Sequence, residues 1–161
     1  MNFERQNKCR TGKIGMKLYL DTSVFSAYYD ERTPERMKMT RDFWPILEKY
    51  EKLCSELTIE ELGQAHSNLR ERLLALTRNF AVLKVTEEMR DLAEHYVEEG
   101  VVPSRYLADA IHTAAAVLGN ADILVSWNFK HLVKRSTRLL VNYINVERGL
   151  RTIEILAPPE V

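Results

Sequence analysis

Short apolar runs alternate with longer segments of helical period along this chain. After Met16 the run KLYLD carries a β-favouring Leu-Tyr-Leu and ends on an acid, which predicts a buried strand. Four similar runs follow: Lys52 to Cys54, Ala81 to Val85, Ile123 to Ser126 and Thr152 to Leu156. Between them, apolar positions at helical spacing predict helices over Thr22 to Tyr29, Pro34 to Tyr50, Ile59 to Leu76, Thr86 to Glu99 and Ser104 to Leu118. Pro34 suits a first helical turn. Pro45, inside the same pattern, removes a backbone donor and predicts a kink or a split. Thr86, followed by Glu87 and Glu88, is an expected N-cap, and Gly100 and Gly119 stand where helices should end. The tail APPEV, with its paired prolines, is expected to be extended and poorly ordered. Strands and helices in alternation predict an α/β fold with a parallel sheet covered on both faces, where ligands gather outside the carboxyl ends of the strands.

Composition narrows the class. The chain has 161 residues, of which 45% are hydrophobic and 29% charged, with six Gly and five Pro, so it is a folded domain of ordinary size with a single core. The most apolar stretch, Ala108 to Val125, is interrupted by Asp109, His112, Asn120 and Asp122, which excludes a membrane-spanning helix. Cys9 and Cys54 show neither metal-binding spacing nor a disulfide framework, and a reducing cytoplasm is the expected setting. Residues 1–15 are polar and basic with no apolar face. They are read as a flexible, dispensable leader, either native or foreign to the natural product, preceding a single domain over residues 16–161.

Charge sums to zero, with 23 basic and 23 acidic side chains, so the whole molecule is not a generic magnet for polyanions. Its distribution is uneven. Glu87 to Glu99 is acidic, whereas Ile123 to Val146 contains no acid and carries Lys130, Lys134, Arg135 and Arg138. That stretch is either a solvated face, part of a dimer contact, or a local binding surface for the phosphates of a polyanion.

Four polar residues fall where the predicted topology gathers ligands. Asp21 directly follows the first strand, where it reads either as a helix N-cap or as a ligand. Glu61 lies in SELTIEEL, in the helix after the second strand. Asp109 lies in LADAIHTAAAVLG, where a helical wheel puts Leu107, Ile111, Ala114 and Leu118 on the core stripe, and Asp109, His112, Thr113 and Ala116 opposite. An acid among so many alanines is paired, protonated or metal-bound if buried, and otherwise sits on an exposed flank. Asn128 follows the fourth strand, as a turn residue or a ligand. Three carboxylates brought together repel one another unless a divalent cation neutralises them, and oxygen-only donors favour Mg²⁺ or Mn²⁺ over zinc. Such a site suits phosphodiester hydrolysis.

From about Met16 to Pro159 the chain resembles the PIN-domain nucleases, especially the VapC-like toxin subunits of type II toxin-antitoxin pairs. The residues that carry the resemblance are LYLDTSVFSAY, SELTIEEL, LADAIHTAAA and DILVSWNFKHL, in that order. The resemblance implies a three-layer α/β/α sandwich around a central parallel sheet of about five strands. It makes Asp21, Glu61 and Asp109 the catalytic metal ligands, puts Asn128 where many members carry aspartate, and leaves Ser23, Ser126 and His112 around them. It also implies metal-dependent RNA cleavage with Mg²⁺ or Mn²⁺, a homodimer and a cognate antitoxin. The expected function is therefore a metal-dependent endoribonuclease. The alternative, favoured by Asn128 and the zero net charge, is a catalytically weak PIN module that binds RNA or a protein partner without turnover. Trp127 and Phe129 flank Asn128, either as core residues or as platforms for bases. His112, three residues after Asp109, reads as a structural or supporting histidine rather than as a ligand.

Overall fold

The computed structural model describes residues 15–161. All but the last residue of the expected leader lies outside that range. The elements run β1 (Lys17–Leu20), α1 (Thr22–Ala27), α2 (Pro34–Phe43), β2 (Glu51–Ser55), α3 (Glu56–Leu62), α4 (Ser67–Leu76), β3 (Ala81–Leu83), α5 (Glu87–Glu98), α6 (Leu107–Leu118), β4 (Ile123–Val125), α7 (Arg135–Glu147) and β5 (Glu154–Leu156). The five strands are parallel in the order β3-β2-β1-β4-β5, and helices cover both faces to make a three-layer α/β/α sandwich.

The first strand is central, and the chain winds from it first to β2 and β3 and then, in the other direction, to β4 and β5. The switch of direction opens a crevice at the carboxyl ends of β1 and β4, where neighbouring crossovers leave in opposite senses. Leu20 pairs with Val125 there, so Asp21 and Ser126 emerge side by side, and the Asp21 N–H donates to the Val125 carbonyl at 3.2 Å.

Packing explains why this end is well fixed. Helix α6 is buried all round from Ala110 to Val117, and α5 lies against it. Its alanines let it approach the sheet closely, because interaxial distance follows side-chain size at the contact. The expected core stripe is corrected here: Leu107 is exposed, while His112, Thr113 and Ala116, assigned to the opposite side, are buried. In another cluster Phe25 of α1 meets Trp44 and Phe80 edge-on. Cys54 is an inert packing residue, since burial pushes its thiol up to about 12.

Several boundaries differ from the sequence pattern. Pro45 does end α2, and Trp44–Lys49 continues as a 3₁₀ turn. The single helix expected over Ile59 to Leu76 is two, α3 and α4, broken at residues 63–66, and the first begins earlier because Ser55 and Thr58 form a capping box. Gly100 takes a left-handed φ of 81°, as a helix terminator does, but after α6 that conformation falls to Asn120. Gly119 is needed for closeness instead: a Cβ there would lie 2.7 Å from the Ala115 carbonyl oxygen and 2.4 Å from Leu83. The basic stretch after β4 forms a helix the pattern did not announce, α7, held through Val141, Ile144 and Asn145. The tail is ordered rather than loose. Ala157 and Pro158 are buried, and Glu160 accepts from the Ala157 N–H at 2.6 Å and from Arg138 at 3.2 Å.

Candidate active site

Asp21 caps α1 and is only 4% exposed. Its Oδ1 accepts from the Ser23 N–H at 3.0 Å and the Ser23 hydroxyl at 2.5 Å, and its Oδ2 accepts from the Ser126 hydroxyl at 2.6 Å. Every contacting donor is neutral. Burial therefore raises the Asp21 carboxyl above its ordinary range, more than the His112 charge and the serine hydrogen bonds lower it, and the Asp109 charge adds to the rise.

Glu61 reaches the same crevice from α3. Its Oε1 accepts from the Thr22 hydroxyl at 2.9 Å and stands 2.6 Å from His112 Nε2. Burial alone would raise this carboxyl, but the His112 hydrogen bond and charge, with the Thr22 hydroxyl, outweigh it and hold Glu61 below the usual range. His112 is held from behind. Its Nδ1 is 2.7 Å from the Tyr19 hydroxyl, which is 2.8 Å from the Ser55 hydroxyl, so a buried chain of polar groups runs from Glu61 to the carboxyl end of β2.

Asp109, in the first turn of α6, presents Oδ2 to two donors. The Asn128 amide donates at 3.1 Å and His131 Nδ1 lies at 2.9 Å. The Asn128 Oδ1 accepts from the His131 N–H at 3.0 Å. Exchanging the two ends of that amide would set an oxygen against a carboxylate and an NH₂ against an N–H, so the orientation is determined by its neighbours. The His131 ring is also packed on Tyr106, with centroids 4.0 Å apart.

The structure thus brings Asp21, Glu61, Asp109, Asn128, Ser23, Ser126 and His112 to one end of the sheet. Among the described residues no three His, Cys, Asp or Glu side chains close around one point as a metal cage does. Each carboxylate has an oxygen committed to a protein donor. The carboxylates nevertheless fit a hard cation: Asp21 is almost fully buried and touched only by neutral donors, with a second acid in its field. Asn128 is placed to orient Asp109, with its carbonyl turned to the backbone.

The basic residues divide. Lys130 is exposed beside the site, 5.8 Å from the Tyr106 ring, and Lys134 and Arg135 are exposed at the start of α7. Arg138 is tied to Glu160. Sequence reasoning passed over His131 and the Tyr19 hydroxyl. The signal for His131 was a histidine just beyond Asn128 at a strand end. For Tyr19 there was none, because a tyrosine in a buried strand reads as core.

A PIN domain family model matches residues 18–130, which covers the first three motif segments and the fourth as far as Lys130, and so includes Asp21, Glu61, Asp109 and Asn128. The chain belongs to the PIN domain family. Solved structures with a similar fold include VapBC2 from Rickettsia felis bound to a DNA fragment from its promoter, at 11% identity and TM-score 0.55 over 88% of this chain and 98% of that one. VapC20 of Mycobacterium tuberculosis, described as a Sarcin-Ricin loop cleaving toxin, is 15% identical with TM-score 0.56 over 71% of this chain and 92% of its own. VapBC-1 from nontypeable Haemophilus influenzae is 16% identical with TM-score 0.56 over 89% and 99%. No curated protein matches the sequence. At these identities the likeness is one of fold, and in this PIN domain the chemistry rests on the side chains described above.

Proposed function

We propose that this PIN domain is a metal-dependent endoribonuclease of the VapC kind, hydrolysing RNA phosphodiester bonds. The observation that carries the reading is the convergence of Asp21, Glu61 and Asp109, from three separate chain segments, on the crevice beyond the central strands. Asp21 and Asp109, with Glu61, would hold Mg²⁺ or Mn²⁺. When bound, such an ion supplies an activated water and offsets charge on the phosphate and the leaving oxygen. The chain's own groups do the positioning. Ser23 and Ser126 fix both oxygens of Asp21, Thr22 and His112 orient Glu61, and Asn128 with His131 orients Asp109. Lys130, Lys134 and Arg135 offer charge to the RNA backbone, with Arg138 joining them if it leaves Glu160.

The fold neighbours support a toxin role with a cognate antitoxin, since two of the three are VapBC complexes. A partner, whether antitoxin or second copy, is also supported by α7, where Leu139, Tyr143 and Val146 expose more than 60% of their surface on one helical face. Among the described residues no helix is long and apolar enough to cross a membrane, and a cytoplasmic setting is part of the proposal.

The second reading is a PIN module that binds RNA or a protein without turnover. The Asn128 amide, which replaces a charge beside Asp109, favours it. Incubation of mixed structured RNAs with Mg²⁺ or Mn²⁺ decides between them. Cleavage by the wild type that is lost in both Asp21→Asn and Asp109→Asn supports the enzyme. Activity retained by both variants refutes the site, and no cleavage with RNA binding intact establishes the second reading.

A further inference from the structure

Asn128 stands between two aromatic residues that the acid cluster does not employ. The Trp127 indole N–H donates to the Thr40 hydroxyl at 2.9 Å, which fixes the ring against α2. Its backbone N–H donates to the Ser23 hydroxyl at 2.9 Å, and that hydroxyl donates to Asp21. Phe129 follows in a tight turn, its N–H bonded to the Trp127 carbonyl, and its ring is 52% exposed. With Thr33, Pro34, Glu35, Arg36 and Met39 the two rings line an open cavity of about 440 Å³, in which the charges of Glu35 and Arg36 offset one another. The Arg36 guanidinium lies 5.6 Å from the Trp127 ring, and Met39 is also exposed. Phe129 is held by a turn with its ring 6.1 Å from the Trp127 ring, and half of its surface stays exposed, so it adds little burial to the core. Its surroundings are those of a stacking platform, with aromatic faces, a planar cation and an adaptable thioether.

We propose that this slot receives one unpaired nucleobase, the one next to the phosphate held at the acid cluster. The proposal rests on the ribonuclease reading above and adds to it a base-binding slot built by Trp127 and Phe129, which only an unstacked base can fill. Two features favour a base over the apolar side chain of a protein. The slot wall is two hydrogen bonds from Asp21, so a chain with its phosphate at the acids carries a base to the slot. Lys130, directly after Phe129, is exposed, with its ammonium 5.8 Å from the Tyr106 ring on the acid-cluster side, where it offers charge to a backbone phosphate. A base within a duplex cannot enter, because its faces are already covered.

The test compares binding of a short single-stranded RNA with binding of an abasic ribose-phosphate strand of equal length, by fluorescence anisotropy with EDTA present and at several salt concentrations. The proteins are the wild type, Phe129→Ala and Phe129→Trp. The wild type should prefer the strand with bases by about 5- to 150-fold, the range for one stacked base. Phe129→Ala should lose most of that preference, with unchanged affinity for the abasic strand and an unchanged salt slope, since stacking releases no counterions. Phe129→Trp should retain it. A full preference in Phe129→Ala overturns the proposal and leaves the slot to a protein side chain. Equal binding of both strands by the wild type overturns it too, while leaving the ribonuclease reading in place. Failure of the wild type to bind either strand overturns the proposal, and the ribonuclease reading then stands or falls by the cleavage assay with Mg²⁺ or Mn²⁺.

Discussion

His112 and Glu61 form the contact through which the core reaches the acid cluster, and a double-mutant cycle on this pair tests the site most directly. His112 is 3% exposed and its Nε2 is 2.6 Å from Glu61 Oε1. A hydrogen bond to an ionised partner contributes about 1.5–3 kcal/mol. The Glu61 side chain is a third exposed, so screening by solvent puts this pair at the lower end, about 1.5 kcal/mol. His112→Leu keeps the volume apolar, and the Tyr19 hydroxyl still has Ser55, so no buried polar group is orphaned. Glu61→Ala removes the acceptor altogether, so each single variant abolishes the contact. Urea unfolding of the wild type, both single variants and the double variant at neutral pH should return a coupling energy of about 1.5 kcal/mol. The sign with pH follows from the lowered Glu61 value. A depressed carboxylate stabilises fully above its unfolded pKa and stops doing so as pH falls through its folded pKa, so the coupling should fade in acid. A coupling below about 0.5 kcal/mol at neutral pH, within the additivity error of independent sites, refutes the pairing.

Asp21 behaves in the opposite sense. Burial raises its carboxyl, so ionisation costs stability above the folded pKa and costs nothing below the unfolded one. Asp21→Asn should therefore raise the urea midpoint at neutral pH, by an amount that shrinks on acidification, and an unchanged or lower neutral midpoint contradicts this. Asn128→Asp replaces the amide donor to Asp109 with a second carboxylate. Thermal melts should show the variant less stable by about 1–2 kcal/mol without metal and more strongly stabilised by added Mn²⁺ than the wild type, whereas an equal response to Mn²⁺ places position 128 away from the cation. Lys134→Ala with Arg135→Ala should lower the slope of log RNA affinity against log salt by about 1.4, at ~0.7 per phosphate contact, and an unchanged slope with full affinity takes the start of α7 off the binding face.

Much of the site could be read locally because its residues sit at boundaries that local rules mark. Asp21 and Asn128 directly follow apolar runs, and Glu61 lies in a helix whose start is marked by Ser55 and Thr58. A carboxylate just past a strand in an alternating β/α chain is delivered to the same end of the sheet whatever the loops do. His131 escaped because its meaning depends on Asp109, 22 positions away in sequence and reached only when β4 docks beside β1.

Alternation of apolar runs with helical periods was sufficient to specify the α/β class, the parallel sheet and the end of it that carries the acids, since each depends on side-chain period and turn chemistry within a few residues. Helix α7 marks where that information stops. Its start has no capping side chain, its first turn carries basic rather than acidic residues, and its body is rich in residues of modest helix propensity. What holds it is distant. The Asn145 side chain, fully buried, bonds the Tyr96 hydroxyl and the Arg151 carbonyl, and Asn142 exchanges two hydrogen bonds with the Ile153 backbone. The tail is fixed in the same way by Arg138 and by burial of Pro158. Which strand lies in the centre, which oxygen of each acid is committed, and that α6 is buried on every side are likewise outcomes of packing. They depend on contacts between segments that share no local pattern, and only the folded chain brings them within reach of one another.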